Sequence, residues 1–208
     1  SRTDRSQIGQ FLTPASIAQF MSSMFETGLQ EVKILDPGAG AGVLFAACVE
    51  TLVSQKDRPL SIEVVTYETD STILPYLDET MKQSQSLCTS NGVVFHGFIR
   101  PEDFVSAAIT ETKESLFTVP GARFTHVILN PPYKKINSQT VMSRMLYSSD
   151  IEVANLYAAF VWLSMLLLEP GGQMVAITPR SFCNGPYFKK FRAALLQMMS
   201  LKRIHLFE

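Results

Sequence analysis

The stretch "ILDPGAGAGVL", residues 34–44, decides the fold. The apolar run Val32 to Leu35 stops at Asp36-Pro37-Gly38, and a helix-length segment, Val43 to Val53, follows. A mostly apolar run of four residues is too short for a helix and reads as a strand, while the second segment is long enough for three turns. Three glycines within five residues join the two. Strand, tight turn and helix form the first half of a crossover unit, which needs a parallel partner strand beyond it.

Working outward, the same alternation repeats. Ile62 to Tyr67 is a β-branched run ending at Glu68, and Ser71 to about Ser86 reads as a helix with Pro75 in its first turn. Val93 to Phe95 is a short strand, Pro101 to Ile109 a helix and His126 to Leu129 a strand. Glu152 to Leu168 is a long helix stopped by Pro170-Gly171-Gly172. Met174 to Thr178 is a strand, Pro186 to Met199 a helix and Arg203 to Phe207 a sixth strand. Near-continuous apolar strands separated by helices predict an α/β fold, with a mostly parallel, doubly wound sheet covered on both faces. Two segments break the pattern. Residues 1–30 hold a loop, "GQFLTPASIAQFM", with a helix starting at Pro14, and Pro131 to Asp150 is a long polar loop. Loops of that length in a compact domain are usually functional.

The bulk numbers fit one catalytic-sized domain, residues 1–208, with its sheet core over 31–208. Hydrophobic residues make up 46% of the chain and charged ones 18%, as in a folded protein. A formal net charge of −1 provides no global field to attract nucleic acid. Cys48, Cys88 and Cys183 are far apart, form no Cys-x-x-Cys pair and suit a reducing cytosol. No structural zinc site or other metal site is expected. The longest apolar stretch, Leu156 to Leu168, is too short to span a bilayer.

In such sheets ligands bind beyond the carboxyl ends of the strands. The unusual residues gather there: Asp36, Glu68, Asp103 and Asn130. Gly38, Gly40 and Gly42 let a ligand approach the backbone. Val43 stands where the dinucleotide fingerprint needs glycine, and the phosphate-loop lysine is absent. With Asp36 in the turn and no basic residue between Asp36 and Cys48, the ligand expected is one carrying a positive group. An acid after the second strand suits the two hydroxyls of a ribose, and either Glu68 or its neighbour Asp70 is placed for that role. Asp103 can accept from the exocyclic amine of an adenine, although the helix-start role for an acid after Pro101 has the stronger claim on the residues alone.

"ILNPPYKK", residues 128–135, ends a strand with an amide, two prolines and an aromatic ring. The Asn130 side-chain oxygen and the Pro131 carbonyl are two acceptors, enough for both hydrogens of an NH₂ group. Pro131 and Pro132 stiffen the corner, and Tyr133 offers a ring for a planar group.

On these residues the chain resembles S-adenosylmethionine-dependent amino-methyltransferases, and most of all the adenine-N6 DNA methyltransferases of restriction-modification systems. The order of loop, glycine turn, two acids and N-P-P-Y is similar to their gamma arrangement. "NLYAAFVWLSMLLLEPGGQMVAITPRSF" is similar to their segment after N-P-P-Y. The resemblance implies a Rossmann-like methyltransferase fold. It also implies S-adenosylmethionine as cofactor, DNA as substrate and a cytoplasmic, bacterial setting. Phe11, Thr13 and Pro14 would line the methionine end of the cofactor. Asp36, Gly38 and Gly40 would surround its amino acid portion. Glu68 would hold the ribose and Asp103 the adenine, with Leu156 and Phe160 flanking the pocket. Asn130, Pro131, Pro132 and Tyr133 would hold a flipped target adenine for direct methyl transfer. A closing hairpin strand and a target-recognition domain are expected outside this chain, the latter C-terminal to it. Methylation of a protein glutamine amide or of RNA adenine, or a non-catalytic cofactor-binding subunit, are the rival readings. His96, His126 and His205 are expected to be structural. Lys134, Lys135 and Arg144 either reach phosphates or sit on a solvated loop.

Overall fold

The computed structural model describes residues 13–114, 123–137, 139–147, 153 and 155–207. Five strands form one parallel sheet: β1 (Glu31–Pro37), β2 (Ser61–Tyr67), β3 (Val94–Arg100), β4 (Phe124–Leu129) and β5 (Leu168–Ala176). Their order across the sheet is β3-β2-β1-β4-β5. The chain winds outward from β1 in one direction, then crosses to β4 and winds in the other. That reversal between β1 and β4 is where a parallel sheet opens a crevice at its carboxyl edge.

The helices are α1 (Ala15–Ser22), α2 (Val43–Val53), α3 (Leu74–Ser90), α4 (Phe104–Glu114), α5 (Val141–Tyr147), α6 (Leu156–Leu167), α7 (Ser181–Asn184) and α8 (Lys189–Met198). Strand alternation sends side chains to two cores. Ile34, Ile62, Val64 and Ile128 meet α1, α2 and α3 on one face, while Leu35, Val65, Val127 and Leu129 meet α4, α5, α6 and α8 on the other. All six residues of β4 are buried, as its position between β1 and β5 requires.

The expected doubly wound α/β architecture is present, and several elements differ from expectation, β3 among them, which runs to Arg100 instead of stopping at Phe95. Arg203 to Phe207 is not a sixth strand: the segment is irregular and exposed, and His205 and Phe207 set their rings against Phe20 of α1. β5 starts at Leu168 instead of Met174, drawing Pro170 and both glycines into the strand. An edge strand tolerates proline because one row of its backbone groups has no ladder partner. The loop after β4 is not polar throughout, since it contains α5, whose Leu146 is buried.

Candidate active site

The strand registers put the predicted residues in one row. β1 pairs with β2 through Pro37 and Tyr67, and with β4 through Leu35 and Val127. Gly38, Glu68 and Asn130 are the residues that directly follow β1, β2 and β4 at the carboxyl edge.

The three glycines differ in what they face. Gly38, Gly40 and Gly42 all have positive φ, at 70°, 56° and 86°. A Cβ on Gly42 would lie 2.4 Å from Phe45 Cε1, so this glycine permits packing of the turn onto α2. A Cβ on Gly40 would meet nothing within 4 Å, so that backbone faces open space. Gly38 is exposed and has the ring of Phe160 beside it, 3.3 Å from where a Cβ would stand. Phe160, expected to flank the pocket, lies with its ring against Gly38, and Leu156 is half-buried and donates its backbone N–H to the Lys134 carbonyl.

Asp36 is fully buried. Its Oδ2 accepts from the Phe45 N–H in the first turn of α2, at 3.2 Å, and Oδ1 has no hydrogen-bond partner. Burial pushes its carboxyl up to about 8, opposed by the Phe45 N–H and aided by the nearby Glu68 charge. Glu68 is also buried. Its Oε2 accepts from the Gly40 N–H at 2.9 Å, and its Oε1 accepts from Thr69 and Asp70 N–H, each at 2.8 Å. Asp70 instead accepts from the Thr72 N–H and hydroxyl, closing the turn that leads to α3. The geometry therefore ties Glu68, not Asp70, to the glycine turn. Asp103 Oδ1 accepts from both the Ser106 N–H and hydroxyl at 2.8 Å, which makes it the N-cap of α4.

At the end of β4, Asn130 and Tyr133 are half-buried and Pro131 is buried. Asn130 Nδ2 donates to Thr13 Oγ1 at 3.0 Å, and Asn130 Oδ1 accepts from the Tyr133 hydroxyl at 2.7 Å. Burial pushes the Tyr133 phenol up to about 12, so it remains a donor. The Tyr157 ring of α6 packs edge-on to Tyr133, with centroids 6.3 Å apart. Pro132 is half-buried, and Pro14 is exposed before α1. Phe11 lies outside the described residues.

Residues 70–208 match the Eco57I restriction-modification methylase family. The chain belongs to that family. It is 42% identical over 208 residues to a Type II methyltransferase, M.BsuBI of Bacillus subtilis, covering 99% of this chain and 40% of the relative. It is 37% identical over 205 residues to a second Type II methyltransferase, M.PstI of Providencia stuartii, covering 99% of this chain and 39% of that one. The chain thus spans about two fifths of the length of these curated relatives. Among solved structures, it superposes with a TM-score of 0.61 on a Listeria monocytogenes protein assigned to the class I S-adenosylmethionine-dependent methyltransferases. That match is 14% identical and covers 91% of this chain and 53% of the other. A type I restriction-modification methyltransferase subunit from Streptococcus thermophilus also gives 0.61, at 20% identity, covering 90% of this chain and 38% of that one. The fold is therefore the Rossmann-like fold of class I methyltransferases.

One signal was missed by averaging the charge. Residues 1–122 carry eight Lys or Arg against fifteen Asp or Glu, while residues 123–208 carry ten against four. The near-zero net charge conceals two opposed halves. The basic half holds the Asn130 corner together with exposed Lys134, Lys135 and Arg180. Counting charge by segment would have found it.

Among the described residues, no cluster of His, Cys, Asp and Glu is arranged to hold a metal ion, and no helix is long and apolar enough to cross a membrane. Burial raises the thiols of Cys48 and Cys88, so neither is a thiolate nucleophile at neutral pH.

Proposed function

We propose that this chain is the catalytic core of a DNA methyltransferase that moves a methyl group from S-adenosylmethionine to the exocyclic N6 amine of adenine. The observation that carries the reading is the hydrogen-bonded pair of Asn130 and Tyr133 just past β4, the strand that neighbours β1 at the sheet's reversal point.

The residues fit the cofactor. Asp36 Oδ1 is a buried acceptor with no partner, and a cationic ligand nearby would favour its ionised form. The open side of Gly40 gives backbone access. Glu68 has three of its roughly four acceptor sites taken by backbone N–H groups that aim it at the turn. Ribose hydroxyls would take the fourth and displace the Gly40 N–H. Asp103 keeps Oδ2 for the adenine amine while Oδ1 caps α4. S-adenosylmethionine, when bound, supplies an electrophilic methyl group on a sulfonium.

The chain's own residues act on the acceptor. An adenine amine is a weak nucleophile because its lone pair is delocalised into the ring. Asn130 Oδ1 and the Pro131 carbonyl accept hydrogen bonds from its two N–H groups and favour a pyramidal nitrogen, which concentrates the lone pair toward the methyl; forming the C–N bond would break the methyl's C–S bond, leave a neutral thioether and release one N–H proton to solvent. Oδ1 also accepts from the Tyr133 hydroxyl, and an amide oxygen can accept two hydrogen bonds. The base must leave the duplex to reach this corner, and the Tyr133 ring stacks on it for ~1–3 kcal/mol. Lys134 and Lys135 lie beside the corner and meet backbone phosphates.

The test offers labelled cofactor to the full chain with duplex DNA, RNA and a glutamine-bearing protein in parallel. Label in DNA alone is expected. Label in RNA or protein instead would overturn the choice of acceptor, and cofactor binding without transfer to any of the three would indicate a non-catalytic subunit.

A further inference from the structure

An asparagine amide has two orientations that differ by exchanging its donor and acceptor ends. The clamp works in only one of them. With Nδ2 turned toward the substrate, two NH₂ groups would face each other and neither would accept.

Two hydroxyls bracket the Asn130 amide. Thr13 Oγ1 lies 3.0 Å from Nδ2, and the Tyr133 hydroxyl lies 2.7 Å from Oδ1. They are not equivalent. A phenol delocalises its oxygen lone pair into the ring, so it donates well and accepts poorly. An aliphatic hydroxyl is the better acceptor. The phenol therefore belongs at the carbonyl end of the amide and the threonine at the NH₂ end. Thr13 stands 117 residues before Asn130 and next to Pro14, the N-cap residue of α1.

We propose that Thr13 is a positioning residue for Asn130: by accepting from Nδ2, it locks the amide with Oδ1 toward the acceptor amine. This rests on the methyl-transfer reading and adds to it. Thr13 then serves the acceptor corner, beyond the cofactor-lining role that its sequence context implies, and the segment before α1 completes the clamp. Without Thr13 the Tyr133 hydroxyl can turn and accept from a flipped amide, because it can do either.

The experiment compares Thr13→Val, which keeps the shape and removes the hydroxyl, with Thr13→Ser, which keeps the hydroxyl. In the full chain, kcat and KM for duplex DNA are measured at saturating cofactor, and the cofactor Kd by calorimetry. Thr13→Val is expected to lower kcat roughly 10–100-fold, as removal of a supporting hydrogen bond does elsewhere. Because kcat is read at saturating cofactor, the loss is expected whatever the change in cofactor Kd, and Thr13→Ser is expected to recover most of the rate, since the hydrogen bond is what is retained. A weakened cofactor Kd with unchanged kcat would overturn the proposal and leave Thr13 as cofactor lining only. Equal loss in the Val and Ser variants would also overturn it.

A readout independent of turnover is the side-chain amide resonance of Asn130, assigned by its loss in Asn130→Ala. Its Nδ2 hydrogens are expected to exchange slowly in the parent and Thr13→Ser proteins and quickly in Thr13→Val. If the parent methylates nothing, the proposed function fails while this resonance still decides the role of Thr13. Identical exchange in all three proteins would refute that role.

Discussion

Replacing Asp36 with asparagine is expected to change how stability depends on pH, in a way set by two buried groups acting in opposition. Asp36 holds its proton in the fold up to about 8, whereas the usual carboxylate value is 3.8. The unfolded chain sheds that proton above 3.8, so the folded state binds one more proton over the window. The Asp36 contribution is full below 3.8 and falls by about 1.4 kcal/mol per pH unit until it is exhausted near 8. His126, buried in β4 against Phe25, behaves in the opposite sense. Burial lowers it from 6.5 to about 4, against a smaller raising effect from the Glu26 backbone. Between those values only the unfolded chain is protonated there, so stability rises with pH by the same slope.

From pH 5 to 6.5 the two slopes cancel and the parent protein's curve from these groups is flat. From 6.5 to 8 only Asp36 acts, and stability falls by about 2 kcal/mol. Asp36→Asn uncovers His126: stability should rise by about 2 kcal/mol from pH 5 to 6.5 and then level off. His126→Gln should fall across the whole range. The assay is urea unfolding of all three proteins at half-unit pH steps, with slopes compared rather than absolute values. A curve for Asp36→Asn parallel to that of the parent would refute the assignment of a shared proton economy to these two sites.

Other outcomes follow from the same geometry. Gly42→Ala should destabilise the fold by more than Gly40→Ala, because only the former drives a Cβ into Phe45; thermal denaturation checks this. Gly40→Ala should leave a folded protein with weakened cofactor binding, measured by calorimetry. Lys134→Ala with Lys135→Ala should weaken DNA binding uniformly across sequences and lower the salt-dependence slope by up to about two. Tyr133→Phe keeps the ring and removes the donor to Asn130 Oδ1, so DNA KM should change less than in Tyr133→Ala, where stacking is lost as well.

The sheet was legible because its strands are buried on both faces and read as plain apolar runs. β4, with all six residues buried, needed only a two-residue extension at its start. Legibility failed at the edges. β3 shows mostly exposed residues, and His96 and Gly97 hide its length in the sequence. Pro170, Gly171 and Gly172 look like a helix stop, yet they lie in β5, where an edge strand has room for them. Arg203 to Phe207 has the alternation of a strand, but pattern does not supply a neighbour, and in the fold its rings pack on α1. At the site, the chemical types at the strand ends were readable, and Glu68 could be separated from Asp70 only by hydrogen bonds. The Thr13–Asn130 contact joins positions 117 residues apart and leaves no local trace.

Identification of the methylated nucleoside tests the central claim most directly. Duplex DNA exposed to the full chain and S-adenosylmethionine is digested to nucleosides and resolved by mass spectrometry. N6-methyldeoxyadenosine is expected, and it should vanish in Asn130→Ala while cofactor binding persists. Methyl groups on a ring carbon of cytosine, or undiminished product from Asn130→Ala, would contradict the account.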